Sequence, residues 1–265
     1  MSENGFKMCV LGSGSTGNAT YVEYDGFGML VDAGLSALAT KQRMTSLGLS
    51  PARLRAICVT HEHGDHTKGI PQLRKQFGVD LFANLDTARA IDPELPWYIF
   101  QDGSPFQVGP FAVTPFSLPH DAIDPVGYVI AAGGISVGVA TDMGMPTTLA
   151  RERLSHCRAL VLEANHEPSL LRASSRPQRL IQRILSRQGH LSNDTAAELA
   201  AELAAANPAL EHVYAAHLSR SCNRLELAID AFTRALAGAA RADVAVHATF
   251  PDRASDVVEV EGLKG

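Results

Sequence analysis

The sequence is poor in the features that place a chain in a membrane, cross-link it covalently or give it a polyanion-binding field. Only 6% of its 265 residues are aromatic, with one tryptophan, and no apolar run approaches the ~20 residues a bilayer crossing needs. Met1 to Lys7 lacks a basic region followed by an apolar stretch, so a secretory leader is not expected. Cys9, Cys58, Cys157 and Cys222 are scattered without a CxxC pair, which excludes a disulfide framework or zinc knuckle and predicts reduced thiols in a cytoplasmic protein. Basic residues are not in excess: Lys+Arg number 23 against 28 Asp+Glu, a net charge of −5. Any contact with a polyanion must therefore be regional. No Pro/Ser-rich linker, low-complexity tract or repeat interrupts the chain, which predicts one domain over 1–265.

What is present is an ordinary globular balance, 46% hydrophobic with a mean hydropathy of +0.01, arranged as alternating strand and helix patterns. Lys7–Leu11 reads as a strand, and Thr20–Tyr24 with Gly28–Asp32 as a hairpin turning at Asp25-Gly26, a pair that tolerates positive φ. A helix closed by Gly48 follows, then a short helix opened by Ser50-Pro51, and Ala56–Thr60 reads as a strand running into His61. A helix through Leu73 stops at Gly78, before a strand at Val79–Ala83. Phe111–Phe116 leads toward His120; Gly127–Ile130 and Ser136–Thr141 form a hairpin around Gly133-Gly134 that delivers Asp142. Ala159–Leu162 delivers Glu163, and His212–Ala216 delivers His217. Polar residues with metal-binding or acid–base chemistry thus recur just past the ends of buried strands, the positions that converge on one rim in layered α/β folds.

The densest such position is His61-Glu62-His63-Gly64-Asp65-His66, three imidazoles and two carboxylates within six residues. Imidazole and carboxylate suit zinc, manganese or iron, and the absence of a nearby cysteine argues against a thiolate structural zinc. With Asp32 in Val31-Asp32-Ala33-Gly34, this segment resembles the metallo-β-lactamase-fold hydrolases, whose signature is H-x-H-x-D-H after a strand. The resemblance runs from about Leu11 to Arg220 and implies an α/β fold of the αβ/βα four-layer sandwich type. It implies two divalent ions, Zn2+ or Mn2+: His61, His63 and His120 on one, Asp65, His66 and His217 on the other, Asp142 bridging, and Asp32 orienting the site from behind. A hydroxide shared by the two metals would then attack the substrate, with Asp65 orienting or deprotonating it. His247, after the strand-like Val244–Val246, is a weaker competitor for the place of His217, and His156 and His212 read as surface or structural residues.

Two further elements bear on the substrate. Glu163-Ala164-Asn165-His166 and Gly189-His190-Leu191-Ser192 resemble the Glu-Ala and Gly-His-Ser elements of ribonuclease Z-type phosphodiesterases, in which the pair helps protonate the leaving oxygen. With Gly12-Ser13-Gly14-Ser15-Thr16-Gly17-Asn18 and His217-Leu218-Ser219, the likeness extends to the YycJ (WalJ) subgroup, which includes DNA exonucleases. The resemblance thus implies a phosphodiesterase acting on nucleic acid, with His190 as general acid held by Glu163; His190 reads otherwise as a residue capping a helix end. The stretches from His120 to Asp142 and from Asp142 to Glu163 are too short for a β-CASP insertion or the tRNA-grasping arm of ribonuclease Z.

Candidate substrate contacts are Ser13, Ser15, Asn18, His166, Arg179, Arg183, Ser192 and Ser219. The Gly12–Asn18 loop reads either as a phosphate cradle or as a tight glycine-rich connection. Arg176, Arg179, Arg183 and Arg187, at intervals of three and four after or beside Pro177, read either as a cationic ridge for a phosphate backbone or as a solvated helix face. Alternatives from other classes are a small-molecule metallo-hydrolase (thioesterase, lactonase or cyclic-phosphate phosphodiesterase) and a non-catalytic metal-stabilised binding protein. No membrane partner is expected.

Overall fold

A computed structural model of the chain describes residues 5–261; the ends of the expected 1–265 domain, residues 1–4 and 262–265, lie outside the described residues. Strands β1 (Phe6–Gly12), β2 (Ala19–Tyr24) and β3 (Phe27–Val31) precede α1 (Ala37–Ser46), and β4 (Leu54–Cys58) runs into α2 (Gly64–Thr67) and α3 (Ile70–Phe77). Then follow β5 (Asp80–Asn84), α4 (Leu85–Ile91), β6 (Trp97–Phe100), β7 (Phe106–Val108), β8 (Phe111–Ser117), β9 (Val126–Ala132) and β10 (Ile135–Ala140). The remainder comprises α5 (Thr148–Leu154), β11 (Ala159–Glu163), α6 (Pro168–Arg172), α7 (Gln178–Ile184), α8 (Asn193–Ala206), β12 (His212–Ala216), α9 (Leu225–Gly238), β13 (Ala245–Ala248) and β14 (Val258–Val260).

The strands form two seven-stranded mixed sheets, ordered β14-β1-β2-β3-β4-β5-β6 and β13-β12-β11-β10-β9-β8-β7. In each sheet one half is antiparallel and the other parallel: β3 through β6 in the first, β10 through β13 in the second. Period-two patterning assigns the faces. In β1, Phe6, Met8 and Val10 enter the core between the sheets, while Cys9 and Leu11 pack outward beneath a helical layer. In β12, Tyr214 and Ala216 point inward, and Val213 and Ala215 pack toward a second helical layer containing α8 and α9. The result is the four-layer αβ/βα sandwich that the resemblance implies. All four cysteines are buried and free, as their spacing predicts.

Local signals act where expected. The hairpin turns at Asp25-Gly26 and Gly133-Gly134 both adopt positive φ at each central residue, the backbone that matches strand twist in a two-residue connection. Gly48 and Gly78 likewise sit in left-handed conformations past α1 and α3. Ser50, by contrast, makes no side-chain cap, and the helix opened by Pro51 is a single 3-10 turn over Pro51–Arg53. Among the described residues, no helix is long and apolar enough to cross a membrane.

Candidate metal centre

The polar strand ends meet on one rim. Asp32 follows β3, His61 follows β4, Asp142 follows β10, Glu163 ends β11 and His217 follows β12. Three of these residues, Asp32 (φ 63°), Asp142 (φ 58°) and His217 (φ 57°), adopt left-handed backbone although none is glycine. Such conformations cost roughly 1–3 kcal/mol each and persist where surrounding structure fixes them. Here each one turns the chain sharply at the end of a parallel strand.

The six-residue motif is held by backbone bonds rather than by its own helix, which is only four residues long. Asn18 N–H donates to the Asp65 carbonyl at 2.8 Å, Ala33 N–H to that of His66 at 2.7 Å, and Gly34 N–H to that of Asn18 at 2.8 Å. Gly34 is required there, since a Cβ would collide with the Asp65 carbonyl and the Asn18 nitrogen. The Gly12–Asn18 loop therefore cradles the motif.

Most of the clustered imidazoles are oriented by a bond at Nδ1 that leaves Nε2 facing inward. Asp32 accepts from Thr60 N–H (2.8 Å), from the Thr60 hydroxyl (2.9 Å) and from His66 Nδ1 (2.7 Å). The Thr60 hydroxyl proton being so engaged, its oxygen accepts from His61 Nδ1 at 2.9 Å. His120 Nδ1 donates to the Gly189 carbonyl at 3.1 Å. Glu163 Oε1 accepts from His217 Nδ1 at 2.9 Å and from His190 Nδ1 at 2.7 Å. His63 enters differently, with Nδ1 3.1 Å from His61 Nε2.

Among the described residues, four groups of donor atoms come within 4.8 Å of one another: His61, His63 and His120; Asp65, His66 and His217; His61, His66 and Asp142; and Asp142, Glu163, His190 and His217. Asp142 lies between the first two groups, with Oδ2 3.2 Å from His66 Nε2 and Oδ1 3.7 Å from His120 Nε2. His120 Nε2, Asp142 Oδ2 and His217 Nε2 are buried without a hydrogen-bond partner. Buried polar atoms are rarely left so, and three orphans converging among nitrogen and oxygen donors fit divalent cations. Glu163 is a poor ligand despite its proximity. Its Oε2 accepts from Met143 N–H and Leu191 N–H while Oε1 serves the two histidines, so both oxygens are engaged.

The electrostatics follow from burial and these partners. Burial alone would depress the His66 imidazolium, but the Asp32 and Asp142 carboxylates outweigh it and push its pKa up to about 10. His217 is raised in the same way against its burial, by the Asp142 carboxylate and by the neighbouring Asp65 and Glu163 carboxylates. His61 is held low, by burial and then by the neighbouring His66 charge. For Glu163, burial is outweighed by His190 and His217, so its carboxyl stays well below the usual range. His190 is raised, with the Glu163 carboxylate overcoming burial. The metal-free site thus stores protons that a cation must displace.

A cleft of about 210 Å³ opens over the cluster, lined among others by Ser15, Arg183, His190 and Ser219. The remaining substrate-contact candidates are placed elsewhere. Ser13 is buried and its hydroxyl accepts from His217 N–H at 2.6 Å. Asn18 is buried too; its side chain accepts from Gly14 N–H and lies 3.0 Å from His66 Nε2. Both support ligand residues rather than face the cleft. Ser192 caps α8 by accepting from Thr195 N–H, and His166 lines a separate small cavity with it, on another side of His190. Both His166 ring nitrogens are unpartnered, and burial pushes its pKa down to about 4.

Of the four arginines of the expected ridge, Arg176 and Arg183 border the cleft, while Arg187 lies beyond α7, which covers only Gln178–Ile184, so the four do not share one helix face. Arg179 is exposed and outside the cleft, whereas Arg183 pairs with Asp121. His247 pairs with His212 at 3.0 Å and stacks on Tyr214, its register neighbour, which removes it as a rival to His217. Thr60, Asn165 and the Gly189 carbonyl are the orienting groups that sequence reading missed. Asn165 donates to the His217 carbonyl at 3.0 Å. Only the adjacency of Thr60 to His61 and of Gly189 to His190 carried any signal.

Residues 29–213 match the family model described as the beta-lactamase superfamily domain. The chain is 35% identical to Exodeoxyribonuclease WalJ of Streptococcus pneumoniae serotype 2, covering 98% of this chain and 100% of that one. It is also 35% identical to Exodeoxyribonuclease YycJ of Bacillus anthracis, covering 84% of this chain and 86% of that one. The metallo-beta-lactamase fold protein YhfI from Bacillus subtilis superposes with a TM-score of 0.72 at 18% identity, covering 97% of this chain and 100% of that one. The chain therefore belongs to the metallo-β-lactamase superfamily and, within it, to the WalJ/YycJ group.

Proposed function

We propose that this chain is a metal-dependent phosphodiesterase that degrades DNA from its ends. The observation that carries the reading is the sharing of one Glu163 oxygen by His217 and His190. It fixes a proton donor beside the ligand cluster. A deoxyribose alkoxide needs a proton to depart, whereas the thiolate of a thioester does not, so the pair favours phosphodiester over thioester chemistry. The names of the WalJ and YycJ relatives as exodeoxyribonucleases point the same way.

His61, His63 and His120 would hold one divalent ion and Asp65, His66 and His217 a second, with Asp142 reaching both. The nitrogen and oxygen donor set suits zinc or manganese. Such ions, when bound, supply Lewis acidity toward phosphoryl oxygens and make water nucleophilic at neutral pH. Asp65 orients the attacking water. His190, with Nδ1 tied to Glu163 and raised in pKa, delivers the proton from Nε2 to the departing oxygen. Asp32 and Glu163 keep the ligand imidazoles in the tautomer that presents Nε2 to a cation.

The test is incubation of metal-loaded protein with end-labelled single- and double-stranded DNA, RNA, bis(p-nitrophenyl) phosphate, a thioester and a lactone. Release of labelled mononucleotides from DNA is expected. Turnover of a thioester or lactone with no phosphodiester cleavage would overturn the reading in favour of a small-molecule hydrolase, and no turnover of any substrate would favour a binding protein.

A further inference from the structure

Arg176 stands apart from the other arginines of its segment. It is half-buried just before α7, and its Nη2 donates to the Ser221 hydroxyl at 2.9 Å and lies 3.4 Å from that of Ser219. Nη1 and Nε make no hydrogen bond, and no carboxylate pairs with the guanidinium, among the described residues. Arg183, at the other end of α7, is neutralised by Asp121, and Arg179 is turned out of the cleft. The cleft that holds the ligand carboxylates is thus bordered by one half-buried cation with no counter-ion and spare donors.

Its surroundings are shaped for a nucleotide rather than a lone anion. Leu180 and Ile184 of α7 supply an apolar wall along the cleft, and Ser15, Leu218 and Ser219 border it with Arg176. Ser219 is fixed in turn by Cys222 N–H, which donates to its hydroxyl at 3.3 Å. Leu218 and Ser219 directly follow His217, so this border is tied to the metal cluster by two residues of chain. A guanidinium held at one edge by hydroxyls offers its remaining fork to the planar oxygen pairs of a phosphate.

We propose that Arg176, with the hydroxyls of Ser219 and Ser15, binds the non-scissile phosphate adjacent to the bond being cut, with the intervening nucleoside against Leu180 and Ile184. The subsite rests on the phosphodiesterase reading, and it makes the enzyme select substrates that carry a second phosphate next to the reacting one. A simple diester such as bis(p-nitrophenyl) phosphate cannot use it.

The experiment compares KM and kcat for bis(p-nitrophenyl) phosphate, for a deoxydinucleotide with and without an added terminal phosphate, and for a short oligodeoxynucleotide. Wild type, Arg176→Ser and Arg176→Lys are measured at several salt concentrations, with metal content and thermal midpoint recorded for each. Loss of a charge-assisted phosphate contact raises the oligonucleotide KM by about tenfold or more in Arg176→Ser. The preference for the phosphorylated dinucleotide collapses, and the slope of log KM on log salt falls by about 0.7. Arg176→Lys recovers part of the affinity, since lysine keeps the charge without the fork. An unchanged dinucleotide preference and salt slope in Arg176→Ser, or equal losses on all substrates, would overturn the subsite while leaving the phosphodiesterase reading intact. A wild type that cleaves no nucleotide would overturn the reading itself.

Discussion

Each sheet contributes one buried carboxylate, Asp32 or Glu163, that orients the clustered histidines, and the two are placed differently. Among the described residues, Asp32, after β3, accepts only from Thr60 and His66, in or beside the first sheet's own motif, and so orients those two side chains. Glu163, at the end of β11, accepts from His217, from His190 and from the backbone at Met143 and Leu191. On the proposed mechanism, one side chain of the second sheet would therefore couple cation binding to proton delivery. The first sheet gathers its donors in six consecutive residues, whereas the second gathers them one strand at a time. On that reading the rim between the sheets would divide into a ligating half and a half that also handles the leaving group.

Removing the group that belongs to both halves should have the largest effect. Asp142→Ala should abolish metal-dependent hydrolysis, by about 10⁴-fold or more, since cation polarisation of a phosphoryl group is worth several kcal/mol. Metal analysis alongside kinetics checks it; retained metal and near-normal rates would erase the distinction between bridge and halves. His190→Ala should cost about 10²- to 10³-fold on DNA, within the range for a general acid, but far less on bis(p-nitrophenyl) phosphate, whose phenolate leaves without a proton. Equal losses on both substrates would assign His190 to ligation instead.

The paired carboxylates sharpen the comparison directly. Glu163→Gln and Asp32→Asn should each lower metal affinity by about 10- to 100-fold, as for other groups that orient metal-bound histidines. Only Glu163→Gln should also move the acid–base limbs of the pH–rate profile on DNA. If both variants move it alike, the proposed division of labour fails.

A further expected effect is a pH dependence of metal binding. The folded-state pKa of His66 is raised to about 10, so its contribution to the stability of the metal-free protein is fully present below the unfolded value of about 6.5. That contribution is lost as pH rises through about 10. A cation must displace the same proton, so metal affinity should climb by ~10-fold per pH unit for each proton displaced across this window. Chelator competition at pH 6, 7.5 and 9 measures it; affinity already level above pH 7 would contradict the raised His66. In acid, metal and activity should be lost together.

Much of this was legible in the sequence because the signals are local. The His61–His66 motif is contiguous, the Asp25-Gly26 and Gly133-Gly134 turns announce two hairpins, and the strands that deliver Asp142, Glu163 and His217 lie within two residues of their expected bounds. Long-range facts were not legible from patterning alone. The sandwich topology came only through family resemblance, since period-two alternation assigns faces and not neighbours. The left-handed backbone at Asp32, Asp142 and His217 left no compositional mark, because none is glycine. Ser13 and Asn18 looked like substrate contacts but face the ligand residues, a matter of side-chain direction that spacing does not encode. The arginine spacing suggested a longer helix than the one that forms, as Gly189 turns the chain back soon after Ile184.

The central claim is that donors from both sheets share divalent cations at the rim. Elemental analysis of protein purified without chelators tests it most directly, with the Asp142→Ala variant prepared in parallel. Two equivalents of transition metal per chain are predicted for the wild type, and a marked loss for the variant. A wild type with no stoichiometric metal, or a variant with undiminished content, would contradict it.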